Sequence, residues 1–166
     1  MSSNNTMRIG IGIDAHQFAS PSSERVLVLM GTPIAGARGL AGHSDADVMC
    51  HALMDALLGA AALGDIGSHF PSSDPAYSDA HSMDLLSKVV TLLNQAGVKI
   101  INVDICLIGE SPKINTYASA MKQRTAKTLG IDPSAINIKA TTTDKMGFTG
   151  RNEGLAAQAI ALIEIP

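Results

Sequence analysis

The sequence has no tryptophan, and aromatic residues fill only 3% of its 166 positions. Recognition built on stacking against bases or sugar rings is therefore a poor fit. Basic blocks are missing too: 12 Lys and Arg against 15 Asp and Glu leave a net charge of −3. That balance argues against a nucleic-acid backbone or an anionic membrane surface as partner. No apolar run reaches membrane-spanning length free of charge. The opening "MSSNNT" lacks the cationic stretch and apolar core of a signal peptide. Cysteine is scarce, and Cys50 and Cys106 sit in apolar runs without C-x-x-C spacing. They read as small buried hydrophobes in a reduced setting, and bacterial cytoplasm is the expected location.

What is present is an apolar content of 46% against 16% charged residues, the balance of a globular chain. Its length suits a single domain, 1–166, with residues 1–7 expected as a weakly ordered extension. "RIGIGIDAH" (8–16) alternates as a strand, and "RVLVLMGTPI" (25–34) reads as a second. The Gly- and Ala-rich "GTPIAGARGLAG" (31–42) reads as turn and loop. A helix is expected over about 44–63, a long polar loop over 64–81 and a helix over 82–97. A strand over 99–110, a helix over 111–130 with Pro112 near its start, and a strand over 135–145 follow. The small-residue-rich "EGLAAQAIALIEI" (153–165) reads as a closing helix. The alternation predicts an α/β or α+β sheet covered by helices.

Three stretches carry chemistry. Ser44, Asp47, His51 and Asp55 fall on one stripe of an Ala/Leu helix that has none of the Lys, Glu or Arg of a solvated face. A solvent-facing stripe with Ser44 or Asp45 as N-cap is the plainer reading. Asp14 and His16, two apart on a strand, share the face opposite Ile9, Ile11 and Ile13. With His51 they make an Asp/His/His set with one tetrahedral position open, the form of a catalytic zinc site; Asp55 is then a candidate acceptor supporting a ligand. "GxGxD" at 10–14 is no dinucleotide fingerprint, because Ala15 replaces the third glycine and Asp14 would repel a pyrophosphate. "KATTTDKMGFTGRNEG" (139–154) joins hydroxyls, cations and a Gly-rich turn, as a phosphate requires. A tight connection with Gly147 and Gly150 supplying unusual φ is the alternative. Asp144 beside a phosphate calls for a divalent cation between them. Lys113 in a first helical turn opposes the macrodipole and so hints at an anion. His69 and His81 read as ordinary exposed residues.

"GIDAH", "GHSDADVMCHALMDALLGAAALGDIG", "FPSSDP", "ESPKI" and "KATTTDKMGFTGRNEG" together resemble the 2-C-methyl-D-erythritol 2,4-cyclodiphosphate synthase family, in order and from about Arg8 to the C-terminus. The resemblance implies an α+β homotrimer, each subunit a four-stranded mixed sheet with helices packed on one face, and active sites between subunits. It implies zinc on Asp14, His16 and His51, with a second divalent ion, Mg²⁺ or Mn²⁺, on Asp144. His43, Thr142 and Asp144 become catalytic candidates. His43 and Ser44 would contact a substrate phosphate, with Asp14 and His16 beside it. Asp65, Ile66, Gly67, Phe70, Pro71, Ser72, Ser73 and Asp74 would surround an erythritol unit. Pro112, Lys113 and Ile114 with Ala140, Thr141 and Thr142 would frame a cytidine diphosphate, and Thr143, Phe148 and Arg151 complete the substrate set. The implied reaction cyclises a cytidine-diphosphate substrate and releases CMP, without nucleic acid or membrane. Three departures stand out. Asp144 replaces a Glu found in many relatives, "DPAYSDAH" lacks a common Lys, and Gln158 replaces a Glu that can pair with the Arg equivalent to Arg151. The last weighs against an axial pocket for isoprenoid-like ligands.

Overall fold

The computed structural model describes residues 6–77 and 79–166. A four-stranded mixed sheet runs in the order β1-β6-β4-β5, where β1 is Thr6–Gln17, β4 is Lys99–Ile108, β5 is Ile136–Thr141 and β6 is Gly154–Ile165. β6 is antiparallel to both neighbours, and β4 and β5 are parallel. Thr6 and Met7, expected in a loose extension, already pair with Ile165 and Glu164; residues 1–5 lie outside the described residues.

The expected closing helix is instead β6, a central strand. Leu155, Ala157, Ala159, Ala161 and Ile163 are buried at alternate positions against the helical layer. Between them, Ala156, Ile160 and Leu162 are apolar as well, and from 155 to 163 only Gln158 breaks the run. Periodicity does not separate a strand apolar on both faces from a buried helix, and the alanines weight the local reading towards helix. Pairing on both edges decides the matter.

A second difference lies in residues 31–42. β2 (Val26–Leu29) and β3 (Thr32–Arg38) form a separate antiparallel hairpin, where a single strand and a loop were expected. The two-residue turn Met30–Gly31 has φ of 47° and 65°, both positive as a primed hairpin turn requires. Only Gly31 advertises that turn.

Helix α1 (Val48–Ala60) lies across the sheet and is buried nearly all round, because α3 (Ser82–Gln95) and the hairpin cover its other sides. It approaches β1 so closely because Gly10 and Gly12 face it: a Cβ on Gly12 would stand 1.9 Å from the Ala52 carbonyl oxygen. The helix starts at Val48 because Asp47, rather than Ser44 or Asp45, caps it. Asp47 is fully buried, accepting from Cys50 N (3.0 Å) and Gly31 N (2.7 Å), and burial pushes its carboxyl up. Asp47→Ala removes the cap and orphans the hairpin N–H. It is expected to lower stability by about 2–3 kcal/mol, measured by urea unfolding.

The remaining elements are α2 (Ile66–His69), α4 (Ala118–Leu129) and α5 (Gly147–Gly150), with short 3₁₀ turns at Pro75–Tyr77 and Pro133–Ala135. The expected helix over 111–130 begins only at Ala118. Residues 111–117 are turn and irregular backbone, so Lys113 occupies no helical turn and the macrodipole hint does not apply to it. The opposite sheet face is open and apolar, with Ile9, Ile11 and Ile13 at 74%, 56% and 65% exposure beside Ile160.

Candidate functional site

β1 turns its isoleucines to the open face and thereby aims Asp14 and His16 at α1. There His51, one turn into the helix, meets them. Asp14 Oδ2 lies 3.0 Å from His16 Nε2 and 3.0 Å from His51 Nδ1, and the two nitrogens are 3.3 Å apart. Ligand atoms about 2 Å from a tetrahedral ion stand about 3.3 Å from one another. Two imidazole nitrogens and one carboxylate oxygen at this spacing fit a divalent metal ion by donor type and by geometry.

The far sides of the rings are tied. His16 Nδ1 donates to the Ala41 carbonyl at 2.8 Å, so in the neutral ring Nε2, the atom facing Asp14, is the one that offers a lone pair to a metal. His51 Nε2 lies 2.9 Å from Ser82 Oγ and 3.3 Å from Ser44 Oγ. Burial disfavours the ionised Asp14, but when the His16 and His51 nitrogens carry protons towards it their hydrogen bonds prevail and hold its carboxyl well below the usual range; the same nitrogens, unprotonated, are the lone pairs a metal would take. The Asp14 hydrogen bond raises His16, against the opposing effect of its burial.

Beside this triad opens a cavity of about 220 Å³. His16, His43, Ser44 and His51 form its polar end. Ile66, Gly67, Phe70 and Ser72 come from the segment that follows α1. Met54, Tyr77 and Leu85, which the sequence did not single out, complete an apolar wall. Asp65, Pro71, Ser73 and Asp74 are not in the lining. Asp65 caps α2 through Ser68 N and Oγ, at 2.8 and 2.7 Å, and Asp74 accepts from Ala76 N. Arg25, also missed, donates to the carbonyls of Gly42 (3.1 Å) and Ser44, clamping the segment that carries His43.

The polar stripe of α1 proves to be several unlike roles. Asp47 is the buried cap. Asp55, proposed as support for a ligand, accepts instead from Ile66 N at 2.8 Å and so pins the start of the cavity wall. Burial raises its carboxyl. His69 contacts the Leu63 carbonyl at 2.8 Å, and His81 stands at the N-cap of α3.

The second group of candidates gathers at the ends of β4 and β5. Pro112, Lys113 and Ile114 follow β4, and Ala140 and Thr141 close β5. Thr142 Oγ1 lies 3.4 Å from Asp144 Oδ1, and Lys145 N donates to Glu110 at 3.1 Å. Asp144 and Lys145 have φ of 50° and 65°, in the left-handed region. Thr143 is held by Met146 O and Thr149 Oγ1, at 2.7 and 2.9 Å. Arg151 pairs with Glu153 at 2.8 Å, and Phe148 lines a shallow depression with Ala15 and His16. This group does not enter the cavity beside the triad. Asp14, Ala157, Leu107 and Ala140 are consecutive partners across the sheet. Three strand spacings therefore put Asp14 and Ala140 about 14 Å apart, on the same end of the sheet.

The YgbB family model matches residues 7–164. The chain belongs to the YgbB family. The 2-C-methyl-D-erythritol 2,4-cyclodiphosphate synthase of Symbiobacterium thermophilum is 55% identical over 157 residues, 95% of this chain and 98% of that protein. Among solved structures, the bifunctional IspDF of Campylobacter jejuni superposes with a TM-score of 0.92 at 41% identity. The match covers 98% of this chain and 43% of that one. A CDP complex of IspF from Plasmodium falciparum gives 0.83 at 32% identity, over 99% of both chains. The family resemblance read from the motifs is thereby established over nearly the whole chain, and the α+β fold agrees with these structures.

Proposed function

We propose that the chain, as one domain, is a phosphorus–oxygen lyase. It converts 4-diphosphocytidyl-2-C-methyl-D-erythritol 2-phosphate to 2-C-methyl-D-erythritol 2,4-cyclodiphosphate and CMP, in non-mevalonate isoprenoid precursor synthesis. The observation that carries this is the Asp14/His16/His51 triad at the mouth of a cavity, in a chain 55% identical to a named synthase. The ion proposed there is zinc; when bound, it supplies Lewis-acid neutralisation of a phosphoryl oxygen.

The chain's own residues do the positioning. The attacking group is the substrate's 2-phosphate, already anionic, so no general base is needed. His43 and Ser44, clamped by Arg25, hold the phosphate end. Ile66, Gly67, Phe70 and Ser72 enclose the sugar-alcohol part and exclude water. Pro112 to Ile114 and Ala140 to Thr143 take the cytidine diphosphate, with Thr142 at the bond that breaks. Asp144 offers one exposed carboxylate to a second ion, Mg²⁺ or Mn²⁺, the usual protein share when phosphates and water complete the shell.

The separation of about 14 Å between the two groups supports a site shared between subunits, in which a neighbour's β4 and β5 ends meet this chain's triad; three subunits are proposed from the family resemblance. The open face of Ile9, Ile11, Ile13 and Ile160 supplies an apolar surface for that packing. Native mass spectrometry checks it, with three chains expected. A cytoplasmic location belongs to the same proposal; no helix among the described residues is long and apolar enough to cross a membrane.

³¹P NMR of the product tests the reaction. Cyclic diphosphate with CMP supports it, whereas linear hydrolysis products or no turnover overturn it. Asp144→Ala is expected to cut turnover about a hundredfold and raise the Mg²⁺ or Mn²⁺ requirement, while the metal at the triad stays stoichiometric.

A further inference from the structure

The link between His51 and the rest of the chain does not end at Ser82. Ser82 Oγ donates to Asp45 Oδ1, and Ser82 N donates to Asp45 Oδ2 at 2.9 Å. Ser82 is fully buried at the start of α3, and Asp45 lies in the segment leading into α1. The carboxylate closes this series of hydrogen bonds, and as an anion it only accepts. The direction of the series follows. The single hydroxyl proton of Ser82 points to Asp45, so towards His51 the serine offers a lone pair. Nε2 of His51 must then carry the proton, and Nδ1, the atom facing Asp14, is left bare. Ser44 Oγ accepts Ala46 N–H at 3.1 Å and stands 3.3 Å from the same Nε2, farther than Ser82 at 2.9 Å, so the closer serine sets the direction.

We infer that Asp45 and Ser82 are positioning residues that fix the tautomer and ring orientation of His51, so that it presents Nδ1 to the metal while His16 presents Nε2. This rests on the metal reading of the triad. The relay also joins the site to the wall of its cavity. Asp79 N donates to His43 O at 2.9 Å and Asp45 N to Ala80 O at 3.3 Å, so the end of the 64–81 segment is fastened to the strip holding His43 and Asp45. The sequence signal was present as Asp45 and Ser82, but 37 residues separate them and only the fold makes them neighbours.

Asp45→Asn is the sharper variant. An amide has one accepting oxygen where the carboxylate has two, so it cannot accept from both Ser82 N–H and Ser82 O–H through separate oxygens. With its NH₂ turned to Ser82 Oγ, the serine proton swings to His51 Nε2 and Nδ1 takes the ring proton. Ser82→Ala removes the acceptor altogether, and Ser82→Thr keeps a hydroxyl.

The test measures Zn²⁺ affinity by chelator competition and the visible spectrum of the Co²⁺-loaded protein, in the full chain. Ser82→Ala and Asp45→Asn are expected to bind Zn²⁺ about 10- to 100-fold more weakly with an altered Co²⁺ spectrum, and Ser82→Thr to recover most of the affinity. In the Zn²⁺-loaded wild type the Nε2 proton of His51 should appear as a slowly exchanging downfield signal that Ser82→Ala abolishes. Variants that stay folded by circular dichroism, with wild-type affinity and an unchanged Co²⁺ spectrum, overturn the relay and leave the metal site standing. A wild type that takes neither ion at the triad overturns the metal reading itself.

Discussion

His51→Ala is expected to lose the triad's metal and at least about a thousandfold in turnover together, while the chain stays folded. The reason lies in where the three ligands come from. Asp14 and His16 share one strand and remain adjacent without His51, but α1 then contributes nothing to the site. Two protein ligands are fewer than the three a catalytic zinc ion ordinarily keeps. The fold should survive because the imidazole borders a cavity, where water can replace it against Ser82 Oγ. The stability change should be about 1 kcal/mol. Metal analysis, ³¹P NMR of the product and native mass read the three consequences separately. Stoichiometric metal retained in the variant would contradict the ligand assignment.

The largest stability effect is expected at a residue with no chemistry. Gly12→Ala places a Cβ 1.9 Å from Ala52 O and 2.7 Å from Ala56 N. Both are backbone atoms of α1, so no rotamer change relieves the clash and the helix must lift from the sheet. Lifting it opens the contacts with Ala157 and Ala159 and withdraws His51 from Asp14. A loss of about 3–5 kcal/mol, with weakened metal binding, is expected from urea titration and chelator competition. Gly59→Ala is the control: its Cβ meets nothing nearer than Ile11 O at 4.0 Å. It lies in α1 without positive φ, and the change should be neutral or stabilising by up to about 1 kcal/mol. Gly12→Ala with wild-type stability would contradict the close packing.

The two variants mark what was legible in the residues. Asp14, His16 and His51 were recognisable as a candidate chelate because strand and helix periodicities are local, and donor types announce their chemistry. The family motifs extended that reading to a substrate and a reaction. The other acids of the α1 region were not legible. Asp47, Asp45 and Asp55 look alike in sequence, yet one caps a helix, one directs a serine and one pins a turn. Beyond Cys50, the local N–H that Asp47 caps, their donors Gly31, Ser82 and Ile66 lie 11 to 37 residues away.

The sheet divides in the same way. A four-stranded mixed sheet was expected and is present, but the strands read from the sequence as its members were not all the right ones. Val26–Leu29 left for the hairpin, and Gly154–Ile165, read as a helix, took the central place. By itself the sequence determined a sheet covered by helices, with α+β supplied by the family motifs; it also determined the strand bearing Asp14 and His16 and the helix bearing His51, because these two depend on spacing within one segment. Only the tertiary structure decided that β6 is a strand, that glycines let α1 descend onto β1, and that Asp45 reaches His51 through Ser82. Those depend on contacts between segments distant in the chain, where strand pairing and backbone approach outweigh the local preference of alanine for helix.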